Sequence, residues 1–397
     1  MKYDFTTVIN RAGNDALAAD RIPIPGACVK DGYRKIPMWI ADMNFATLPD
    51  IPKAIEERLQ HPIYGYYEPT EAYYEAIIKW RKEHNHMMDL EKCHIGYENG
   101  VLGCLSSALT ALTTQGEAVL VHSPCYVGFL HVLKDLGRKV VFSELKQDEN
   151  GVWRMDYEDM DHKIKENKIH FVIFCSPHNP TGRVWEKEEI MAAMEVYQKN
   201  NCVVVSDEIW ADITMPGQQH IPTLNVSEDA KSRTIAIYAP SKTFNLAGLI
   251  GSYHIIYDEY LRDKITRQGA LTHYNSMNVL SMHALIAAYS ENGKEWIEEL
   301  RQVLQENVEY AIPFIREHFE GVTCATPQGT YMLYLDVSKW CEAHDMTIDE
   351  LLCAGVSVGV IWQDGRAFGM DNTIRLNLAS PKSEIEEAFG RLKKFVF

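Results

Sequence analysis

The chain has no run of Lys or Arg, no segment approaching the ~18 consecutive apolar residues of a membrane span, no Cys-x-x-Cys pair and no tract rich in Pro, Gly and Ser. Without a basic patch, and at a formal net charge of −16 over 397 residues, its surface is unsuited to nucleic acid or to an anionic membrane. The opening Met1-Lys2-Tyr3-Asp4-Phe5 lacks the apolar core of a signal peptide. The nine cysteines are scattered, odd in number and mostly inside apolar runs. That is the pattern of buried free thiols in a reducing cytosol, not of disulfides or a zinc site. The expectation is a cytoplasmic protein with no membrane, nucleic-acid or metal partner.

What is present is an ordinary globular composition, 46% apolar and 24% charged. The length suits two domains, or one large domain with an appended lobe. Short and nearly all-apolar runs at 170–175, 202–206 and 234–238 read as strands covered on both faces, as in a parallel sheet flanked by helices. Further strands are predicted at 117–122 and 139–143, and helices at 104–113, 129–137 and 186–199. Residues 50–285 therefore read as a large doubly wound α/β domain. Helices predicted at 295–319, 348–354 and 383–394, with strands at 329–337 and 374–378, give 286–397 a different texture. Together with 1–49 this part reads as a smaller α+β domain built from both termini.

Three strand ends carry candidate chemistry, and in open α/β sheets ligands bind at the carboxyl ends of strands. Lys242 follows the buried-looking run Thr234-Ile235-Ala236-Ile237-Tyr238. A lysine in such a place needs an explanation, and a Schiff base to a carbonyl cofactor is one. The run 170–175 leads into Ser176-Pro177-His178-Asn179-Pro180-Thr181-Gly182, where Pro180 biases Asn179 toward an extended backbone; the alternative is a plain turn. The run 202–206 passes directly into Asp207-Glu208. A carboxylate there has a raised pKa unless a cation or donor faces it; the alternative is an N-cap or surface aspartate. Together these are the parts that pyridoxal phosphate requires: an imine-forming lysine, a carboxylate for the ring nitrogen and an amide for the ring oxygen. Asn99-Gly100-Val101-Leu102-Gly103, opening a helical stretch, is a candidate for holding the phosphate on backbone N–H groups.

The blocks 176–185 (SPHNPTGRVW), 206–209 (SDEI) and 241–249 (SKTFNLAGL) resemble those of fold-type I pyridoxal-phosphate enzymes. More narrowly, they are similar to the cystathionine β-lyase (C–S lyase) branch labelled MalY/PatB. Trp39-Ile40-Ala41-Asp42-Met43, Tyr64-Gly65-Tyr66, Ser123-Pro124-Cys125-Tyr126, Pro327-Gln328-Gly329-Thr330-Tyr331 and Ile374-Arg375-Leu376-Asn377 extend the resemblance along essentially the whole chain. It implies an aspartate-aminotransferase-like fold with a mostly parallel seven-stranded sheet, and a homodimer with its active sites at the interface. Lys242 would be the Schiff-base lysine and proton-transfer base, Asp207 the partner of the ring nitrogen, Asn179 the donor to the ring oxygen and Tyr126 the stacking ring. Val101 and Leu102 would hold the phosphate by their backbone, helped by Ser241 and, across the dimer interface, by Tyr66, with Tyr64 as the alternative. Arg375 would bind the substrate carboxylate, and Ala41 would contact the substrate.

The implied activity is α,β-elimination from L-cystathionine or a related cysteine S-conjugate. Amino transfer is the alternative, and a regulatory protein-binding role a second one. Four positions depart from the broader pattern: Trp210 replaces His or Tyr, Ile250 a phosphate-binding Arg, Ala239 a phosphate-binding Ser, and Asn44 an Asp. The phosphate would then depend on backbone donors, on Ser241 and on the tyrosine of the neighbouring subunit. Residues 271–277 offer no distal arginine for a second substrate carboxylate.

Overall fold

The alternating faces of a central sheet organise the structure, a computed structural model that describes residues 1–271 and 275–397. Its strands are β1 (Ile95–Glu98), β2 (Ala118–Ser123), β3 (Lys139–Glu144), β4 (Phe171–Cys175), β5 (Val203–Asp207), β6 (Thr234–Tyr238) and β7 (Ser252–Ile255). They lie in the order β1-β7-β6-β5-β4-β2-β3, and every pairing is parallel except the two made by β7. Along β4, Phe171, Ile173 and Cys175 enter one apolar core while Val172 and Phe174 enter another. β2 and β5 divide their valines and leucine in the same way, so both faces are covered and the apolar runs show no polar alternation.

The expected seven-stranded, mostly parallel sheet is present, with 234–238 matching to the residue and the other four strands predicted for it within one residue. β1 and β7 have no counterpart in the sequence reading. Each buries a charged or titratable residue, Glu98 and His254, and the two side chains pair across the antiparallel ladder at 2.7 Å. Mutual satisfaction removes the apolar signature by which buried strands are recognised.

A second sheet is antiparallel throughout. Its strands β8 (Thr323–Cys324), β9 (Met332–Asp336), β10 (Gln363–Asp364) and β11 (Thr373–Asn377) lie in the order β8-β9-β11-β10. The predicted 295–319 helix begins earlier, at Glu291 (Glu291–His318), because Ser290 caps it through the N–H of Gly293. Near the N-terminus, Ile36–Pro37 pairs in parallel with Val360–Ile361. Five cysteines are buried, but Cys28 and Cys93 are exposed, and all nine are free.

Beneath the main sheet runs a buried polar network. Arg81, on helix α1 (Glu71–Asn85), contacts Asp212 through both terminal nitrogens at 3.2 Å, and Trp80 and Thr243 also donate to that carboxylate. Burial alone would raise the Asp212 carboxyl, but Arg81 holds it below the usual range. The guanidinium also lies 4.3 Å from the centre of the Tyr238 ring. Removing one partner of such a pair strands a charge. Arg81→Ala should therefore cost about 3–5 kcal/mol in denaturant unfolding, whereas a loss under ~1 kcal/mol would mean that water reaches Asp212.

Candidate active site

Register brings the three predicted strand ends together. Cys175 pairs with Asp207, and Asp207 with Ile237, so the segments after β4 and β6 flank the aspartate. Lys242 follows on the one-turn helix α2 (Pro240–Thr243). These ends open into a cavity of about 250 Å³ whose wall includes Lys242, Asp207, Asn179, Tyr126, Val101, Leu102, Ser241 and Ala41. Eight of the ten expected site residues thus share one cavity. Arg375 does not line it but stands behind Asn179, and Tyr66 is fully exposed outside it. A larger cavity, about 770 Å³, opens between residues 147–153 and 312–326 and contains none of these groups.

Each side chain is placed by identifiable contacts. Nζ of Lys242 donates to the carbonyl of Ala41 at 2.7 Å. Burial, with Arg375 adding to it, lowers the lysine to about 8, against the opposing pull of Asp42 and Asp207. Asp207 shows the converse. Burial raises it to about 7, although the N–H of Ile209 (3.1 Å) and the charge of Lys242 pull it down. Its neighbour Glu208, equally buried, is held below the carboxylate range by His220, Tyr238 and the N–H of Thr223. Asn179 accepts from Arg375 through Oδ1 at 3.0 Å, which leaves its Nδ2 as the donor for the cavity. The Tyr126 ring lies over Gly128, where an added Cβ would come within 2.5 Å of a ring carbon.

At the phosphate end, Gly100 has φ +83°, a conformation favouring glycine, and caps the helix Val101–Leu112. The N–H groups of Val101 and Leu102, in its first turn, have no intrahelical acceptor. Ala239, Trp210 and Ile250 line the same cavity, and Lys242 Nζ lies 5.9 Å from the Trp210 ring centre. Asn44 is elsewhere. Its amide donates to Ser380 Oγ (2.6 Å) and to the carbonyl of Pro37 (3.2 Å), which an aspartate could not do. The departure at 44 is therefore architectural.

Pyridoxal phosphate, the group expected from the sequence, fits these residues. Asp207 is a carboxylate whose pKa burial raises despite the charge of Lys242, and a protonated ring nitrogen beside it would supply a further cation. Among the described residues Arg375, 3% exposed, meets only neutral acceptors (Asn179, the carbonyl of Trp39 at 3.0 Å and Gln363), and its Nε has no partner. A guanidinium so placed can still take a carboxylate.

The profile of one family, aminotransferase class I and II, matches residues 34–392. The chain belongs to that family. It is 32% identical over 360 residues to cystathionine beta-lyase PatB of Bacillus subtilis, covering 90% of this chain and 92% of that protein. Among solved structures, a pyridoxal-phosphate-bound protein of Clostridium difficile 630, named only provisionally as an aminotransferase, superposes with a TM-score of 0.90 at 31% identity over the whole of both chains. The pyridoxal-phosphate-bound C–S lyase of Staphylococcus hominis gives 0.87 at 28% identity, over 98% of each chain.

Within this class I and II aminotransferase fold, other site residues carried no recognised role in the sequence. Asn245 clamps both backbone groups of Met43 (3.0 and 2.9 Å), and Asn377 donates to the carbonyls of Ile40 (2.8 Å) and Asp42 (2.6 Å). Between them they fix Ala41, the acceptor for Lys242. Both stand inside recognised blocks, which was the available signal. Gln363 had none. Of the segment searched for a distal arginine, 272–274 lies outside the described residues.

The raised Asp207 has a consequence for stability. An acid bound to its proton more tightly when folded contributes most at low pH, and that contribution is lost as pH rises from about 4 toward 7. Without added cofactor, Asp207→Asn should therefore melt above wild type at about pH 8 and close to it at about pH 4. An equal Tm difference at both pH values would show that Asp207 is not the group responsible.

Proposed function

We propose that this chain is a pyridoxal-phosphate-dependent carbon–sulfur lyase that cleaves L-cystathionine or a related cysteine S-conjugate to a thiol, pyruvate and ammonia. One observation carries the reading: Lys242, Asp207, Asn179 and the helix start at Val101 meet in one cavity. The relatives named as lyases support it. When bound, the cofactor supplies an aldehyde for an amine and a ring that accepts an electron pair from the substrate Cα. Lys242, lowered to about 8, offers a far larger fraction of free amine near neutral pH than an ordinary lysine, and that amine would take the Cα proton. Asp207 would hold the proton of the ring nitrogen, Asn179 Nδ2 would donate to the ring oxygen, and Tyr126 would pack against the ring. The N–H groups of Val101 and Leu102, with the Ser241 hydroxyl, would bind the phosphate. Arg375 would anchor the substrate carboxylate. Cα–H breaks toward Lys242, Cβ–S breaks with its electron pair leaving on the thiolate, and water completes the conversion to pyruvate and ammonia.

Trp210, Ile250 and Leu102 give the cavity apolar walls, and Lys242 is the one cation among its described lining residues. That suits a thioether side chain better than a second carboxylate. Amino transfer begins with the same proton removal, and the Clostridium difficile neighbour favours keeping it as a second reading. Among the described residues no helix is long and apolar enough to cross a membrane. We place the protein in the cytoplasm as a homodimer in which Tyr66, beside the exposed Ile63 and Tyr64, reaches the phosphate of the second copy. We also assign 50–285 as the cofactor domain, with 1–49 and 286–397 as the small one.

Incubation with L-cystathionine should release pyruvate and free thiol in equal amounts. Lys242→Ala should lower turnover by about a thousandfold or more and abolish the visible absorbance of the lysine-bound cofactor. Efficient transfer to a 2-oxo acid with no pyruvate or thiol would overturn the lyase reading, and failure to take up pyridoxal phosphate would overturn both. Arg375→Ala should raise KM by about ten- to a hundredfold with a smaller change in kcat, and an unchanged KM would remove Arg375 from substrate binding.

A further inference from the structure

We infer that Asn275 is a positioning residue for the phosphate-binding turn, an inference that rests on the cofactor reading above. The turn joins β1 to the helix Val101–Leu112, and the residues entering it set the direction of its free N–H groups. One side chain holds three consecutive residues there. Asn275 Nδ2 donates to the carbonyl of Tyr97 (2.9 Å) and to the Glu98 carboxylate (2.8 Å), while its Oδ1 accepts from the N–H of Asn99 (2.6 Å). Glu98 is completely buried, and its other carboxylate oxygen is held by His254 on β7. Its carbonyl accepts from Ser252 Oγ (3.1 Å) and from the N–H of Gly100 (2.9 Å). The turn is thus fastened to β7 on one side and to Asn275 on the other.

The same short segment fastens the opposite wall. Ser281 Oγ donates to the carbonyls of Leu249 (2.6 Å) and Ile250 (3.0 Å), and Asn278 Nδ2 donates to that of Leu249 (3.2 Å). Ile250, a β-branched residue at φ +43°, is held in a backbone conformation it would not choose unaided. Helix-start N–H groups bind an anion tightly only when they are fixed before it arrives, because any ordering on binding is subtracted from affinity. With Ile250 and Ala239 in the cavity wall, the phosphate depends on the turn, on the Ser241 hydroxyl and on Tyr66 of the second copy, so the rigidity of the turn bears directly on how well the cofactor is retained.

The test is titration of the cofactor-free protein with pyridoxal phosphate, followed by visible absorbance, for wild type, Asn275→Ala and Asn275→Asp. The aspartate keeps an acceptor for Asn99 but loses the donor and sets a second carboxylate against Glu98. Both variants should show Kd raised at least about tenfold, with kcat at saturating cofactor within about twofold of wild type. A folded variant whose Kd stays within about twofold of wild type overturns the assignment. If Asn275→Ala fails to fold, Asn275→Asp decides by the same criterion. Wild type that takes up no cofactor overturns the cofactor reading and this inference with it; wild type that binds alongside an unaffected variant overturns this inference alone.

Discussion

Because β4, β5 and β6 are parallel and paired without a slip, Cys175, Asp207 and Ile237 lie side by side, and the segments that follow all reach one cleft. A slip of one residue in β5 would turn Asp207 to the opposite face and bring Ser206 in its place. That register is specified from both sides, since each strand feeds alternate residues into two separate apolar cores. The polar layer underneath adds a second specification. Glu208 ties the end of β5 to Tyr238 at the end of β6, Tyr238 faces Arg81, and Asp212 reaches Thr243 beside Lys242. Lysine and aspartate are thereby braced by groups that never meet the cavity.

Asp207 and Glu208 are adjacent, chemically alike and equally buried, yet their acidities move in opposite directions. The difference is one of partners. Glu208 is surrounded by donors, whereas Asp207 has one backbone N–H and a lysine whose own charge burial weakens. A protein that satisfies one buried carboxylate fully and leaves its neighbour short is reserving the second for something that binds.

The all-apolar strands, the strand-end residues and the family blocks were legible in the sequence because each is a local pattern. β1 and β7 were not, since Glu98 and His254 cancel one another only after the chain has brought them together. Asn245, Asn275, Gln363 and Asn377 share that difficulty. They act through hydrogen bonds to distant backbone, to the Glu98 carboxylate or to the Arg375 guanidinium, and nothing near them in sequence announces the partner. Asn44 stood out as a departure from a family pattern, and only its contacts with Ser380 and Pro37 separate a structural role from a chemical one.

The pairing of Ile36–Pro37 with Val360–Ile361 bears on how the protein is made. The ribosome delivers the central sheet, with Lys242 and Asp207 in it, long before Val360 exists. Until then the segment carrying Ala41 lacks its strand partner and the side chain of Asn377, and Arg375 has not been synthesised. The nascent chain therefore holds every residue named in the wall of the Lys242 cavity before the segment that clamps Ala41 and carries Arg375 has been made.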